Sequence, residues 1–287
     1  MQINDTVPYF LNHYQPTISF LRNYYENYPE TFKSYFPLHC KDTKERLQQS
    51  LDKYPHAFQT ITEVHALIPS IIKETAEHYR TRYMIDYPGT IHLLVGGFGS
   101  NSYTHRQIIP DISFALERLL PNRQSLRVIV AHEFGHATQN ILSDQAGMKW
   151  EKKEWTNPLI WLNQEGAATH FSRQIAPELP RSIYFTYSTE GDDDWLEFAI
   201  ASEQVIKRAF ASDYDNETTA FLLREWFSVN GGTHFGYSRL GYFLGDRFFQ
   251  QQIERFGEKE AIIAWRKPSF LDDVSKWIRQ GSFTSLT

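Results

Sequence analysis

The sequence has only one cysteine, Cys40, among its 287 residues. A disulfide within the chain is therefore impossible, and cysteine usage gives no support for secretion. We expect Cys40 to be a packed thiol rather than a nucleophile, because nothing in the sequence indicates the electropositive surroundings that activate a thiol.

Long apolar segments are missing as well. No apolar run approaches the length of a membrane-spanning helix. The first residues contain neither the basic region nor the long apolar region of a signal peptide. We therefore expect a soluble, cytoplasmic protein with no membrane partner.

Positive charge is also in short supply. The formal net charge is −5, and the basic residues form no stripe. Nucleic acid is therefore not an expected partner. The composition, 41% hydrophobic and 22% charged, is ordinary for a globular protein, and the length is sufficient for a sizeable core. Nothing in the sequence indicates the oligomeric state.

Residues 1–88 are predicted to form an N-terminal helical region that packs on the rest of the chain, residues 89–287. The clearest helix is predicted over 56–82, where apolar side chains recur at steps of three and four residues. Prolines are expected to interrupt the helices of this region at four positions, Pro16, Pro29, Pro37 and Pro55.

Residues 89–287 are predicted to begin with a small β-sheet and to continue as helices. Residues 90–95 and 112–116 have the β-branched and apolar character of strands. Asn122 and the pair Asn157-Pro158 are typical helix starts. The fold class is therefore α+β and mostly α. Helices are predicted over 123–142, 158–175, 194–211, 216–229, 238–256 and 270–279.

The main chemical signal is a pair of histidines four residues apart, in the run His132-Glu133-Phe134-Gly135-His136. Residues at this spacing lie one above the other on a helix face, so both imidazoles can reach the same ion. Zinc binds neutral imidazole nitrogen readily in a tetrahedral shell. Glu133 lies beside that shell, where it can take a proton from a water molecule. The pattern therefore predicts a zinc site.

A third protein ligand is still needed, and Glu165 is the strongest candidate. It lies in a mostly apolar helical segment, where a carboxylate is costly unless it is paired or bound to a metal. His170 is a rival ligand. Glu154 is a weaker one, because its charged neighbours indicate a solvated surface.

The pentad, followed by a helix that carries Glu165-Gly166-Ala167, resembles the gluzincin clan of zinc metallopeptidases. It is most similar to a bacterial family of predicted zinc-dependent proteases, many of them described as domains of unknown function. The matching region extends from about residue 90 to about residue 256. The resemblance implies a zincin-like fold, zinc held by His132, His136 and Glu165, Glu133 as general base, and a peptide or protein substrate.

In gluzincins a Tyr or His downstream of the metal ligands commonly stabilises the oxyanion that forms on the substrate carbonyl. Here the candidates lie in residues 232–245, where the run Gly-Tyr-x-x-Gly at 241–245 is similar to a motif of the related proteases. Tyr242 is the preferred candidate, followed by His234 and then Tyr237.

Residues 96–102 are a candidate edge strand that pairs with an extended peptide, with a plain glycine turn as the alternative. The same stretch falls where zinc aminopeptidases carry a glycine-rich motif ending in Glu-Asn. This chain has Ser100 where that glutamate would be. The resemblance therefore favours an endopeptidase or oligopeptidase over an aminopeptidase.

Other functions stay open at this stage. The chain could be a catalytically silent binding or regulatory protein with a zincin fold, although no structural zinc site needs Glu133. The same site could also hydrolyse a non-peptide amide. The acidic run Asp192 to Asp194 could bind calcium, but acids at a helix N-terminus are favoured by the helix dipole alone.

Overall fold

The computed structural model describes residues 1–188 and 192–280. Their contacts cluster into two compact units, Met1–Thr138 and a second one that begins at Gln139. The division at residue 88 that the sequence suggests rests on a different criterion: it separates a helical region from the part of the chain that carries the His-Glu-x-x-His motif. That division stays a prediction. The described chain is mostly helical, with one small mixed sheet, which agrees with the predicted α+β class.

The sheet lies in the first unit and has four short strands: β1 (Gln2–Asp5), β2 (Thr90–Leu94), β3 (Ser102–Thr104) and β4 (Ile112–Ala115). Their order is β1-β2-β4-β3. The β1–β2 and β2–β4 pairs are parallel, and β3 is antiparallel to β4. The predictions of β2 and β4 are confirmed. Strands β1 and β3 are not predicted from sequence, because both are short, partly polar and defined by their pairing.

Five helices lie wholly in the first unit: α1 (Val7–His13), α2 (Ile18–Asn27), α3 (Pro29–Phe32), α4 (Tyr35–His39) and α5 (Lys44–Tyr83). Helix α6 (Arg123–Gln145) contains the pentad; it begins in this unit and ends after residue 138. A 3-10 turn follows β4 at Leu116–Arg118.

The expected helix break at Pro55 is wrong, because α5 continues through both Pro55 and Pro69. Each proline removes one backbone hydrogen bond and costs about 3 kcal/mol in a helix interior. Each fully buried apolar side chain returns about 1.5–3 kcal/mol. Such side chains lie on both sides of the prolines, so burial outweighs the local cost: Leu47, Leu51, Tyr54, Ile61, Val64, Ile68, Ile71 and Ile72.

The second unit is helical in its described residues. Its elements are a 3-10 turn (Trp150–Lys152), α7 (Pro158–Ile175), α8 (Ile183–Thr186), α9 (Asp193–Ala201), α10 (Glu203–Asn216), α11 (Thr219–Leu222), a π-helical turn (Leu223–Phe227), α12 (Leu240–Phe256), α13 (Glu258–Ile262), a 3-10 turn (Ala264–Arg266) and α14 (Phe270–Arg279).

Three of the helix predictions for this unit are confirmed, those for α7, α12 and α14. The helix predicted over 194–211 is two helices, α9 and α10, which meet at Ser202. The helix predicted over 216–229 is wrong in type, because α11 passes into a π-helical turn. After that turn the Glu225 carbonyl accepts a hydrogen bond from the Gly232 amide (3.1 Å), so the chain folds back instead of extending the helix.

None of the helices in residues 1–188 and 192–280 combines the length and the apolar character needed to cross a membrane.

Candidate metal centre

Helix α6 places the pentad in the protein interior. Asn122 caps the helix, because its Oδ1 accepts hydrogen bonds from the amides of Gln124 (2.9 Å) and Ser125 (3.2 Å). This confirms the predicted helix start. Val128 and Val130 are fully buried, so the turn before the histidines is fixed by packing.

The two histidines of the pentad lie side by side and are joined by Glu165. His132 is 2% exposed, and His136 is half-buried. Their ring centroids are 4.8 Å apart, with the ring planes at 86°. One ligand atom each from His132, His136 and Glu165 forms a group in which all atoms lie within 4.8 Å of one another. No second group of this kind was found among residues 1–188 and 192–280.

The donor set fits a zinc ion. Two imidazole nitrogens and one carboxylate oxygen are the protein ligands of many catalytic zinc sites, which keep the fourth position for water or substrate. Bonds of about 2.0–2.2 Å in a tetrahedral shell require ligand atoms about 3.4 Å apart. The upper limit of 4.8 Å between the ligand atoms of this group is of the same order as that spacing.

Glu165 is positioned by α7. The helix begins as predicted, because the Asn157 Oδ1 accepts a hydrogen bond from the Leu159 amide (2.9 Å) and Pro158 occupies the first helical turn. Asn157 thereby satisfies one of the amides that a helix N-terminus leaves without a partner. The start of α7 fixes the turn on which Glu165 is found.

Two glycines let α7 and α12 approach each other beside Glu165. A Cβ atom on Gly166 would lie within 3.0 Å of the Gly245 carbonyl, and a Cβ atom on Gly245 would lie within 3.0 Å of the Leu162 carbonyl. Real Cβ atoms essentially never come so close to backbone. The glycines of the Glu-Gly-Ala and Gly-Tyr-x-x-Gly runs are therefore the two sides of one helix–helix contact.

The rival ligands have other partners. His170 is 5% exposed, and its Nε2 lies 2.8 Å from Glu258 Oε1 while its Nδ1 lies 3.3 Å from Gln250 Nε2. Glu154 is exposed, and its Oε2 accepts a hydrogen bond from the side-chain Nδ2 of Asn157 (3.0 Å). Neither residue belongs to the group that contains His132 and His136.

The carboxylate of Glu133 is held by the edge strand β3. Ser102 Oγ donates a hydrogen bond to Glu133 Oε1 (2.7 Å). Thr104 Oγ1 lies 2.8 Å from Glu133 Oε2 and 3.0 Å from the Glu133 carbonyl oxygen. Thr104 has one hydroxyl proton, and a carboxylate oxygen is a stronger acceptor than a backbone carbonyl oxygen. Each carboxylate oxygen therefore has one hydroxyl partner and keeps acceptor capacity for a water molecule.

The opposite face of β3 packs on two histidines. The Tyr103 ring lies parallel to the His39 ring, with centroids 3.6 Å apart, and 5.0 Å from the His105 ring. Burial lowers the pKa of His39 to about 3 and that of His105 to about 4. Both rings are therefore neutral at pH 7, and the stack carries no charge.

The loop between β2 and β3 is fixed by buried polar groups. The Tyr35 hydroxyl oxygen accepts hydrogen bonds from the amides of Gly97 (3.0 Å) and Gly99 (3.1 Å). Glu117 Oε1 accepts one from the Phe98 amide (3.1 Å), and Phe98 has a positive φ of 56°. Glu117 is 7% exposed, and burial raises its pKa to about 7.

The candidate oxyanion residues lie in different surroundings. Tyr242 is in the first turn of α12, and its ring centroid is 4.3 Å from the guanidinium carbon of Arg239. His234 Nε2 lies 2.8 Å from Asp213 Oδ2, which also accepts a hydrogen bond from the Trp226 indole. The Tyr237 ring stacks on Phe198 with centroids 4.7 Å apart.

Two other sequence signals lie outside the metal group. In the acidic run, Asp193 and Asp194 are in the first turn of α9, and Asp193 accepts a hydrogen bond from the Ser182 hydroxyl (3.0 Å). This agrees with the helix-dipole interpretation. Cys40 is buried, and its sulfur lies 3.4 Å from the Gly97 carbonyl oxygen.

Sequence reasoning missed the contacts of three residues of this region: Ser102 and Thr104 with Glu133, and Arg239 with Tyr242. Ser102 and Thr104 share a strand face because they are two residues apart, but that signal requires knowing that β3 is a strand. Arg239 gives no signal in the sequence, since its contact with Tyr242 depends on how the fold brings the two side chains together.

Comparisons of the chain with protein-family models, with curated proteins and with solved structures found no match in any of the three.

Proposed function

We propose that the protein is a zinc-dependent peptidase with a zincin-like fold, in which residues 89–287 form the catalytic unit. His132, His136 and Glu165 are the metal ligands. The observation that carries the proposal is the convergence of these three side chains next to a glutamate, Glu133, whose carboxylate is held by two hydroxyl groups.

Zinc, when bound, supplies polarisation of the scissile carbonyl and lowers the pKa of water toward about 7. The chain's own residues do the rest. Glu133 accepts the proton of the attacking water and later delivers it to the leaving amine. Ser102 and Thr104 keep the Glu133 carboxylate in one orientation for both transfers. Tyr242 donates a hydrogen bond to the oxygen that becomes negative.

Tyr242 is preferred over His234 because of their partners. The His234 imidazole lies beside Asp213, in a network that includes Trp226. Tyr242 lies beside Arg239. The negative charge of Glu165 raises the pKa of Arg239. Tyr242 therefore shares its neighbour Arg239 with the proposed ligand Glu165, whereas His234 is engaged by another acid.

The edge strand β3 provides a place for an extended substrate. One side of β3 pairs with β4, and the sheet ends there. A peptide that adds to this edge is bound through its main chain and needs no particular sequence. In this proposal the substrate-binding edge strand is β3, residues 102–104, and not the segment 96–102 expected from the sequence. Ser100, whose hydroxyl lies 3.2 Å from His39 Nδ1, has no carboxylate to bind the free N-terminal amine of a substrate. This favours endopeptidase or oligopeptidase action.

The test compares the wild-type protein with Glu133→Gln on a fluorescence-quenched peptide library, with products identified by mass spectrometry. The variant keeps the shape of the side chain and one of its two acceptor oxygens, but it cannot accept the proton. We expect a loss of about 10²–10⁴-fold in kcat. Equal activity of the two proteins would exclude the general-base role.

Zinc stoichiometry provides the second measurement. Glu165→Gln is expected to weaken zinc binding, and Glu154→Gln, a change at an exposed carboxylate outside the group, is expected to leave it unchanged. Zinc binding through these three residues without any cleavage would favour the alternative, a silent binding or regulatory protein. The cytoplasmic location expected from the sequence stays a prediction.

A further inference from the structure

Arg239 is a buried cation beside a proposed metal ligand. Arg239 is 7% exposed. Its Nη2 atom has no hydrogen-bond partner among the described residues. Burial works against the charge of the guanidinium, but Tyr187, Tyr242 and Glu165 act in the opposite direction, and the pKa of Arg239 is raised overall. Arg239 is therefore fully charged at any physiological pH.

Two tyrosine rings lie against the guanidinium, in addition to the attraction that the Glu165 carboxylate exerts on it. The guanidinium carbon lies 4.3 Å from the Tyr187 ring centroid and 4.3 Å from the Tyr242 ring centroid. A desolvated cation between two ring faces is strongly attracted to both. Because the guanidinium is planar, it can also stack on aromatic rings, which a lysine ammonium cannot do.

The backbone at this place is held in an unfavourable conformation. Arg239 has φ 64° and Tyr187 has φ 60°, and they are two of four non-glycine residues with positive φ among the described residues. Residues with a side chain avoid this region, and the ones that persist are concentrated at functional sites. The fold thus tolerates strain on both sides of the same cation–π contact.

We propose that Arg239 is a positioning residue for Tyr242, an inference that rests on the proposed peptidase function. It holds the Tyr242 ring by stacking, and its charge makes the Tyr242 hydroxyl a stronger donor to the oxygen that becomes negative on the substrate. Arg239 acts through Tyr242 and does not contact the substrate itself, because its Nη2 is buried. Tyr187 closes the other face of the guanidinium and needs only its ring for this role.

A double-mutant cycle on the zinc-loaded protein tests this inference with Arg239→Met, Tyr242→Phe and the double variant. We expect Tyr242→Phe to lower kcat by about 10²-fold, the cost of one oxyanion donor. Arg239→Met should lower kcat by about 10-fold or more with little change in KM, and should add almost nothing in the Tyr242→Phe background. A full additional loss in that background would overturn the proposal, as would wild-type kcat in Arg239→Met.

Tyr187→Phe is the matched control, since it keeps the ring and removes only the hydroxyl. Its kcat should stay within about threefold of wild type, because cation–π attraction depends on the ring face. A loss as large as that of Tyr242→Phe would contradict the assignment of Tyr242 as the residue that Arg239 serves. Arg239→Lys keeps the charge but not the planar stack, and it should recover only part of kcat.

Melting of the metal-free protein gives a readout that does not depend on activity. If Arg239 and Tyr242 hold each other, the losses of melting temperature in the two single variants will not add in the double variant. Additive losses would overturn the inference even if no substrate were cleaved by the wild-type protein. Absence of cleavage by the wild-type protein would instead refute the proposed function. If Arg239→Met does not fold, the same cycle is run with Arg239→Lys.

Discussion

Replacing Gly245 by alanine puts a methyl group into the contact between α7 and α12. In an unconstrained helix this change is favourable by about 1 kcal/mol. Here the new Cβ would lie within 3.0 Å of the Leu162 carbonyl, whereas a carbon and a carbonyl oxygen normally stay about 3.3–3.6 Å apart. The obstacle is backbone and cannot rotate away, so the helices must separate. Overpacking of this kind costs about 1–3 kcal/mol or more, and we expect a net loss of stability.

The same displacement moves Glu165, whose neighbour Gly166 forms the other side of the contact. Metal sites tolerate changes of only about 0.2 Å in ligand distance, so zinc affinity should fall by about 10-fold or more. Urea unfolding of the metal-free protein measures stability, and competition with a chromophoric chelator measures zinc affinity. Glu254→Ala, at an exposed position of α12, is the control and should change neither. A Gly245→Ala protein with wild-type stability and zinc affinity would refute this account of the helix contact.

Two further predictions concern β3 and the loop before it. Replacing the hydroxyls by Ser102→Ala and Thr104→Val should lower kcat by about 10-fold in peptide cleavage, with zinc content unchanged, because they orient Glu133. Burial raises the Glu117 pKa from 4.5 to about 7, so the unfolded state releases this proton first and stability falls as pH rises between these values. At about 1.36 kcal/mol per unit this is on the order of 3 kcal/mol, and urea unfolding of Glu117→Gln should lack that fall.

Each of these two predictions has a control or an outcome that would contradict it. Thr62→Val, which removes an exposed hydroxyl on α5, is the control for the β3 variants. If it lowers kcat as much as they do, the hydroxyls of β3 have no special role. For Glu117, stability curves of wild type and variant that run parallel from pH 4.5 to pH 8 would show that the carboxyl group does not hold its proton in the folded state.

Signals that act within a few residues could be read from the sequence. Asn122 and Asn157 cap their helices through their own side chains, so the starts of α6 and α7 are local chemistry. The pentad is local in the same sense. Glu165 was reachable by a different argument, the cost of a carboxylate among apolar neighbours. The structure brings Glu165 together with His132 and His136.

What the sequence could not predict depends on distant partners. Strand β1 exists because Gln2–Asp5 pairs with β2, almost ninety residues later in the chain. Helix α5 passes Pro55 because buried side chains on both sides anchor it. Arg239 is an ordinary arginine until two tyrosine rings close on it. In each case tertiary contacts override or create what local propensity alone leaves undetermined.

The stack of Tyr103 on His39 links residues 1–88 to the proposed catalytic machinery. His39 belongs to the region that carries no recognisable motif, yet its ring supports the strand whose hydroxyls hold Glu133. A version of the chain trimmed to the region of recognisable motifs would keep every proposed metal ligand but would lose β1 and helices α1–α5, which belong to the same compact unit as His132 and His136. We expect such a shortened chain to lose the fold of that unit, and with it the orientation of Glu133.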